Sequence, residues 1–147
     1  MSKINFITTI EARINSQRLP GKVLLPINKK ETFLEFLIKR IKNSDYTKNI
    51  IVATTTNKKD DRIVKILKRK KIKYFRGSEE NVLERIYFAT KNTKAKAIIQ
   101  LTGDNPLIDP GVINYVVNFF IKNYPKYDFV SNNNLFQKKK KIIFLLE

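Results

Sequence analysis

The amino-acid sequence predicts an α/β fold in three layers, α/β/α, built on a mainly parallel sheet. Two observations lead there. Short runs rich in β-branched and aromatic residues alternate strictly with amphipathic stretches, in the order β, α, β, α, β, α, β, α, β. The chain has 147 residues, 42% of them hydrophobic, which is enough for one core but not for two. Strict alternation favours parallel pairing, because a crossover helix brings each new strand back to the same end of the sheet.

The strand candidates are 4–10, 49–54, 72–75, 97–101 and 127–130, all short and rich in Ile, Val, Phe and Tyr. Between them lie helix candidates at 32–42, 60–70, 80–91 and 110–123. In the first helix Phe33, Leu34, Leu37, Ile38 and Ile41 form one apolar stripe, and Glu35, Lys39 and Arg40 are expected to face water. Pro110 suits a first helical turn, with Asp109 as its N-cap. In a sheet of this kind ligands bind beyond the carboxyl ends of the strands, so the segments that follow each strand are the informative ones.

Composition narrows the chemistry. The chain has no cysteine and no histidine, which excludes disulfides, thiolate or imidazole metal sites and histidine general bases. Any metal must therefore be held by oxygen. The formal net charge of +17 is mostly lysine scattered through the helices, and it reads as a solvated basic surface rather than a phosphate-tracking groove. A nucleic-acid-binding module is a poor fit, since the aromatic residues fall mostly on predicted core faces. The apolar opening at 4–10 is too short for a membrane span or a signal peptide, and a cytoplasmic location is expected.

After the first strand comes a loop with three cations, Arg13, Arg18 and Lys22, a hydroxyl at Ser16 and a Pro20-Gly21 turn. Arginine forks and a lysine point charge suit a triphosphate, and Gly21 is expected to let backbone approach the ligand. The spaced glycines and closing Gly-Lys-Ser/Thr of a Walker A loop are missing. On these residues alone, an ordinary basic surface loop is an equal reading. Asp104 follows the fourth strand beside Gly103 and has no basic neighbour in sequence, which fits a magnesium and phosphate role or a turn-capping aspartate. Arg76 at the end of the third strand is expected to be unpaired and to face the ligand crevice. Thr54 is equally a strand end, and Glu79 and Glu80 are equally first-turn acids.

Four segments together resemble the CMP-sugar synthetase superfamily of cytidylyltransferases, in its spore coat polysaccharide biosynthesis protein F branch. They are Ala12-Arg13 with Arg18-Leu19-Pro20-Gly21-Lys22; Ile51-Val52-Ala53-Thr54-Thr55-Thr56-Asn57 with Asp60-Asp61; Phe75-Arg76-Gly77-Ser78-Glu79-Glu80-Asn81-Val82-Leu83-Glu84-Arg85; and Leu101-Thr102-Gly103-Asp104-Asn105-Pro106. The resemblance implies a Rossmann-like fold of the glycosyltransferase A type, and transfer of CMP from CTP to a sugar. It places the CTP phosphates at Ala12, Arg13, Ser16, Arg18 and Lys22. It places cytosine and ribose near Ala53, Thr54, Arg76 and Ser78, and Mg2+ at Asp104. Catalysis would then rest on Arg13, Lys22 and Asp104, with an acidic sugar as acceptor.

Two departures stand out. Glu11 lies where relatives carry an uncharged residue, and a carboxylate there repels a triphosphate unless it is paired or turned away. The likeness also fades after Asn132, which divides a nucleotide-binding domain at 1–132 from a Lys-rich and apolar tail at 133–147. By this reading the chain is truncated and lacks the acceptor pocket, a second metal-binding acid and part of the family's homodimer contact. A nucleotide-binding remnant without catalysis is the alternative.

Overall fold

Strands and helices alternate as β1 (Phe6–Glu11), α1 (Phe33–Ile41), β2 (Ile50–Thr55), α2 (Asp61–Arg69), β3 (Lys73–Gly77), α3 (Val82–Thr90), β4 (Ala97–Thr102) and α4 (Pro110–Asn123), in a computed structural model that describes residues 4–16 and 18–132. The strands form one parallel sheet in the order β3-β2-β1-β4. Ile10 stands opposite both Val52 and Leu101, and Glu11 opposite Ala53 and Thr102. The chain thus builds outward from β1 in one direction through β2 and β3, then crosses to the other side of β1 to add β4. Beyond the carboxyl ends of β1 and β4 the two connections part, and a crevice opens there.

Side chains alternate across the sheet, so each strand feeds two layers. Ile10, Val52, Ile99 and Leu101 join Leu34, Leu37, Ile38 and Ile41 of α1, Ile63 and Leu67 of α2, and Ile113 and Val117 of α4 in one buried cluster. The opposite face of β2 and β3 is covered by α3, whose buried Ile86 lies outside that cluster. The three-layer expectation holds, with α1, α2 and α4 on one side.

The helices start where capping chemistry allows. Thr32 accepts from the Glu35 N–H while the Glu35 carboxylate takes the Thr32 N–H, a reciprocal capping box. Asp109 caps α4 by accepting from Gly111 N–H at 2.6 Å, and Pro110 occupies the first turn, both as expected. Asn81 caps α3, so Glu79 and Glu80 precede that helix and are not first-turn acids.

Two expectations need correction. Residues 127–130 form no strand and lie outside the sheet. Their β-prone composition is spent on local packing instead: Tyr127 stacks on Phe119, while Phe129 and Val130 line a hollow beside β4. Strand propensity expresses itself only where a ladder partner is in register. The second correction concerns α1, where Glu35 turns inward and is 7% exposed. Arg69 reaches it at 2.8 Å and Lys70 at 3.6 Å. Arg40 is half-buried, giving its Nε–H to the Ile108 carbonyl at 2.7 Å. Only Lys39 of the expected polar face is fully exposed.

Burial pushes the Glu35 carboxyl up, but hydrogen bonds from Thr32 and Arg69 outweigh it and leave the group below its ordinary value. A depressed folded-state value contributes stability that is complete above the unfolded value of about 4.3 and is lost as pH falls toward the folded one. Unfolding midpoints measured from pH 6 down to pH 3 are therefore expected to fall less steeply for Glu35→Gln than for the unmodified chain. Parallel curves would show that Glu35 does not carry this linkage.

Candidate functional site

The loop after β1 is pinned from below and charged above. Ala12, Ile14 and Val23 are buried, all three in the main core, while Arg13, Ser16, Arg18 and Lys22 stand on the other side. Backbone bonds close it: Ala12 N–H to Ala53 O at 3.2 Å, and Gly21 N–H to Ile14 O at 2.8 Å. Gly21 has φ of 74° with nothing within 4 Å of a would-be Cβ, so glycine serves the left-handed turn into the 3-10 turn Lys22–Leu24.

Asp60, fully buried, fixes this loop to the end of β2. Its Oδ1 accepts from Ile14 N–H at 2.8 Å, and its Oδ2 from the Thr55 hydroxyl at 2.5 Å, the Thr55 N–H at 3.2 Å and the Thr54 hydroxyl at 3.2 Å. Glu79 makes a second tie. It accepts from Asn15 at 2.7 Å and Asn57 at 2.9 Å, and its backbone carbonyl takes a 3.1 Å bond from Arg13. Those amides from Asn57 and Asn15 hold the Glu79 carboxyl below its ordinary value.

Across the crevice, β4 ends against this loop. Gly103 donates to Glu11 O at 2.7 Å, and a Cβ there would lie 2.5 Å from that same oxygen. The glycine thus serves strand-to-strand approach and delivers Asp104 opposite Lys22. Lys22 Nζ donates to Asp104 Oδ2 in an ion pair. That bond, assisted by Thr102, holds the Asp104 carboxyl below its usual range against the opposing effect of burial.

Glu11, Ala12, Arg13, Ser16, Arg18, Lys22, Thr102, Gly103 and Asp104 thus enclose a cleft of about 440 Å³, completed by Val23, Val82 and Arg85. Four of the lining side chains are cationic. Glu11 is turned to β4, where the Gln100 amide donates to it, which answers the repulsion its position raised. A larger hollow of about 570 Å³ between β4, α4 and residues 129–132 has no charged side chain in its lining.

The predicted residues divide sharply. Ala12, Arg13, Ser16, Arg18, Lys22 and Asp104 meet in the cleft; Ala53, Thr54, Arg76 and Ser78 do not line it. Ala53 and Thr54 are fully buried beneath it. Arg76 is not unpaired: its three nitrogens go to Thr55 O, Asn57 O and Asp61 Oδ1 at 2.8, 2.9 and 2.6 Å. The Ser78 hydroxyl accepts from Asn81 N–H at 3.0 Å, shaping the turn into α3. Arg85 was not anticipated, since within Val82-Leu83-Glu84-Arg85-Ile86 it looks like any helix surface charge. Its contact with Gly77, which packs under its stem, comes from the meeting of β3 and α3 and leaves no signal in the sequence.

With this geometry in view, comparison with known proteins is decisive: the model of a protein family described as cytidylyltransferase matches residues 7–143. The chain belongs to the cytidylyltransferase family. Among its curated relatives in the family is the spore coat polysaccharide biosynthesis protein SpsF of Bacillus subtilis, 35% identical over 136 residues, covering 90% of this chain and 55% of that protein. Another is a 3-deoxy-manno-octulosonate cytidylyltransferase of Solibacter usitatus, 32% identical over 110 residues, covering 74% of this chain and 42% of the relative. A solved cytidylyltransferase structure from Leptospira borgpetersenii superposes with a TM-score of 0.83 at 35% identity, covering 89% of this chain and 55% of that one. The chain spans about half the length of the relatives it matches. The family match itself runs past Asn132 to residue 143, beyond the described residues. Among the described residues no helix is long and apolar enough to cross a membrane.

Proposed function

We propose that this chain forms the nucleotide-binding part of an enzyme that transfers CMP from CTP to a sugar, with residues 1–132 as the domain that holds the nucleotide. The observation that carries this reading is the convergence of Arg13, Ser16, Arg18 and Lys22 with Asp104 in one cleft of a cytidylyltransferase-family chain. Cations on one wall suit the triphosphate, and charge neutralisation with positioning is what attack by a sugar hydroxyl on the α-phosphorus requires. Arg13 and Arg18 offer forked hydrogen bonds, and Lys22 a compact charge at the mouth of β4.

Asp104 is the residue that would hold Mg2+. Glu11 also lines the cleft but accepts from the Gln100 amide, which leaves Asp104 as the carboxylate offered to the ion, with nucleotide phosphates completing the donor set. That matches how magnesium is commonly bound, by one or two carboxylates plus substrate oxygens. When bound, the ion supplies charge neutralisation at the reacting phosphate. The acceptor is an acidic sugar by analogy with the octulosonate named for the Solibacter relative, and the setting is cytoplasmic.

Purified chain in millimolar CTP with Mg2+ is expected to unfold at a higher temperature than without. A ligand at a hundredfold excess over its Kd stabilises the folded state by about 2.7 kcal/mol. For a chain of this size that is a shift on the order of 10 °C. An unchanged midpoint would sink the nucleotide reading. Release of pyrophosphate on adding an acidic sugar would then separate an active transferase from a binding remnant.

A further inference from the structure

Arg85 is 2% exposed, the bulkiest of the fully buried side chains. Arginine is almost never buried without a partner, because its charge must leave water. Yet the ion pairs among the described residues use Lys22, Lys39, Arg69, Lys70 and Arg76, and none uses Arg85. One terminal nitrogen donates to the Ser78 carbonyl. The Nε–H is buried with no hydrogen-bond partner.

The surroundings keep the guanidinium where it is. A Cβ on Gly77 would lie 2.8 Å from the Phe75 ring and 3.1 Å from Arg85 Cγ, so the end of β3 carries a glycine where the arginine stem crosses it. The guanidinium shares the cleft with Arg13, whose charge opposes it, while Glu11, Asp60 and Glu79 attract it without pairing. Burial first, and Arg13 among the rest, pull the Arg85 value below its ordinary one. An apolar residue would fill this part of α3 at less cost. A charge held here, half-satisfied, in the lining of a cleft that also carries Arg13, gains a compensating partner when an anion enters.

We propose that Arg85 is a phosphate-binding residue of this cleft, taking an oxyanion of the nucleotide between its guanidinium and that of Arg13. The inference rests on the nucleotide reading of the cleft and adds to it a ligand that comes from α3 rather than from the loop after β1. It also predicts opposite signs for stability and binding. Removing the charge relieves an incompletely compensated burial in the free protein and deletes an anion contact in the complex.

The test compares three full-length proteins that differ in charge and shape at one position: the unmodified chain, Arg85→Met and Arg85→Lys. Thermal midpoints are read with no ligand, with inorganic tripolyphosphate, with glucuronate as a carboxylate probe, and with CTP, at fixed ionic strength. Without ligand, the Met variant is expected to unfold at the same temperature as the unmodified chain or higher. Tripolyphosphate is expected to stabilise the unmodified chain with an apparent affinity at least about tenfold above that of the Met variant. The Lys variant falls between them, and glucuronate shifts none.

A lower unliganded midpoint for Arg85→Met would make the residue a structural tie to Ser78 and overturn the proposal. Equal stabilisation of all three by tripolyphosphate, or no recovery at all by lysine, would overturn it too. A glucuronate shift lost in the Met variant would assign the residue to a carboxylate instead of a phosphate. If the unmodified chain answers tripolyphosphate but not CTP, the nucleotide reading fails while Arg85 stands as an anion site. An undiminished CTP response in the Met variant does the reverse.

Discussion

Asp60→Ala is expected to destabilise the fold by about 3–4 kcal/mol, because it strips partners from buried donors that have no water to turn to. The Ile14 and Thr55 N–H groups and two threonine hydroxyls all converge on this carboxylate. Each buried donor left unsatisfied costs roughly 1–3 kcal/mol, and the hydroxyls can rotate to lessen their share. The corresponding drop in midpoint is on the order of 10 °C, read by calorimetry. Weaker CTP binding should accompany it, since the Ile14 bond is one of the ties that fix the loop carrying Arg13 to the sheet. A variant as stable as the unmodified chain would mean that this buried carboxylate is not what anchors the loop.

The second large effect concerns the Lys22 and Asp104 pair, in which one proposed phosphate ligand and the proposed metal ligand occupy each other. Each must release the other before a triphosphate and a divalent cation enter. Lys22→Met is therefore expected to weaken CTP binding by about ten- to a hundredfold, the worth of a charge-assisted hydrogen bond at 1.5–3 kcal/mol. The same change should strengthen Mg2+ binding in the absence of nucleotide, because Asp104 is then unpaired. Asp104→Asn should abolish that metal binding while leaving metal-free CTP binding equal or improved. Titration calorimetry on the three proteins decides it. If Lys22→Met lowered the affinities for both ligands, the pair would be a scaffold and not a contact exchanged for ligands.

What the sequence reveals of this molecule follows how local the determining physics is. Helix starts such as Asp109-Pro110 are set by neighbours a few residues away, and they appear where expected. The loop cations Arg13, Arg18 and Lys22 are legible because the buried positions beside them, Ala12, Ile14 and Val23, are apolar and leave the charges one face to occupy. Arg76 defeats the same reasoning, because its acceptors come from the β2 end, the turn after it and α2, none visible from its own strand. Glu35 and Arg85 fail alike: a charge in an amphipathic stretch reads as solvent-facing until the element packed against it is known. Residues 127–130 mislead for the complementary reason, as their composition permits a strand but no neighbouring strand asks for one.

The placement of β1 between β2 and β4 has a consequence for the order of assembly on the ribosome. β1 and β2 can pair once the first third of the chain has emerged, and β3 joins them soon after, each step joining strands that are close in sequence. The pairing of β1 with β4 instead closes Phe6 onto Ala97 and Glu11 onto Thr102, which costs loop entropy across most of the chain and is slow to form. Until then one edge of β1 is an unsatisfied template for other chains, and its protection in the nascent protein depends on how quickly translation delivers β4. The cleft draws Arg13 and Lys22 from one side of that late seam and Asp104 from the other. The full lining of the cleft thus assembles with β4 rather than with collapse, and a slow codon stretch before residue 97 would prolong the stage at which the cations are exposed without their carboxylate.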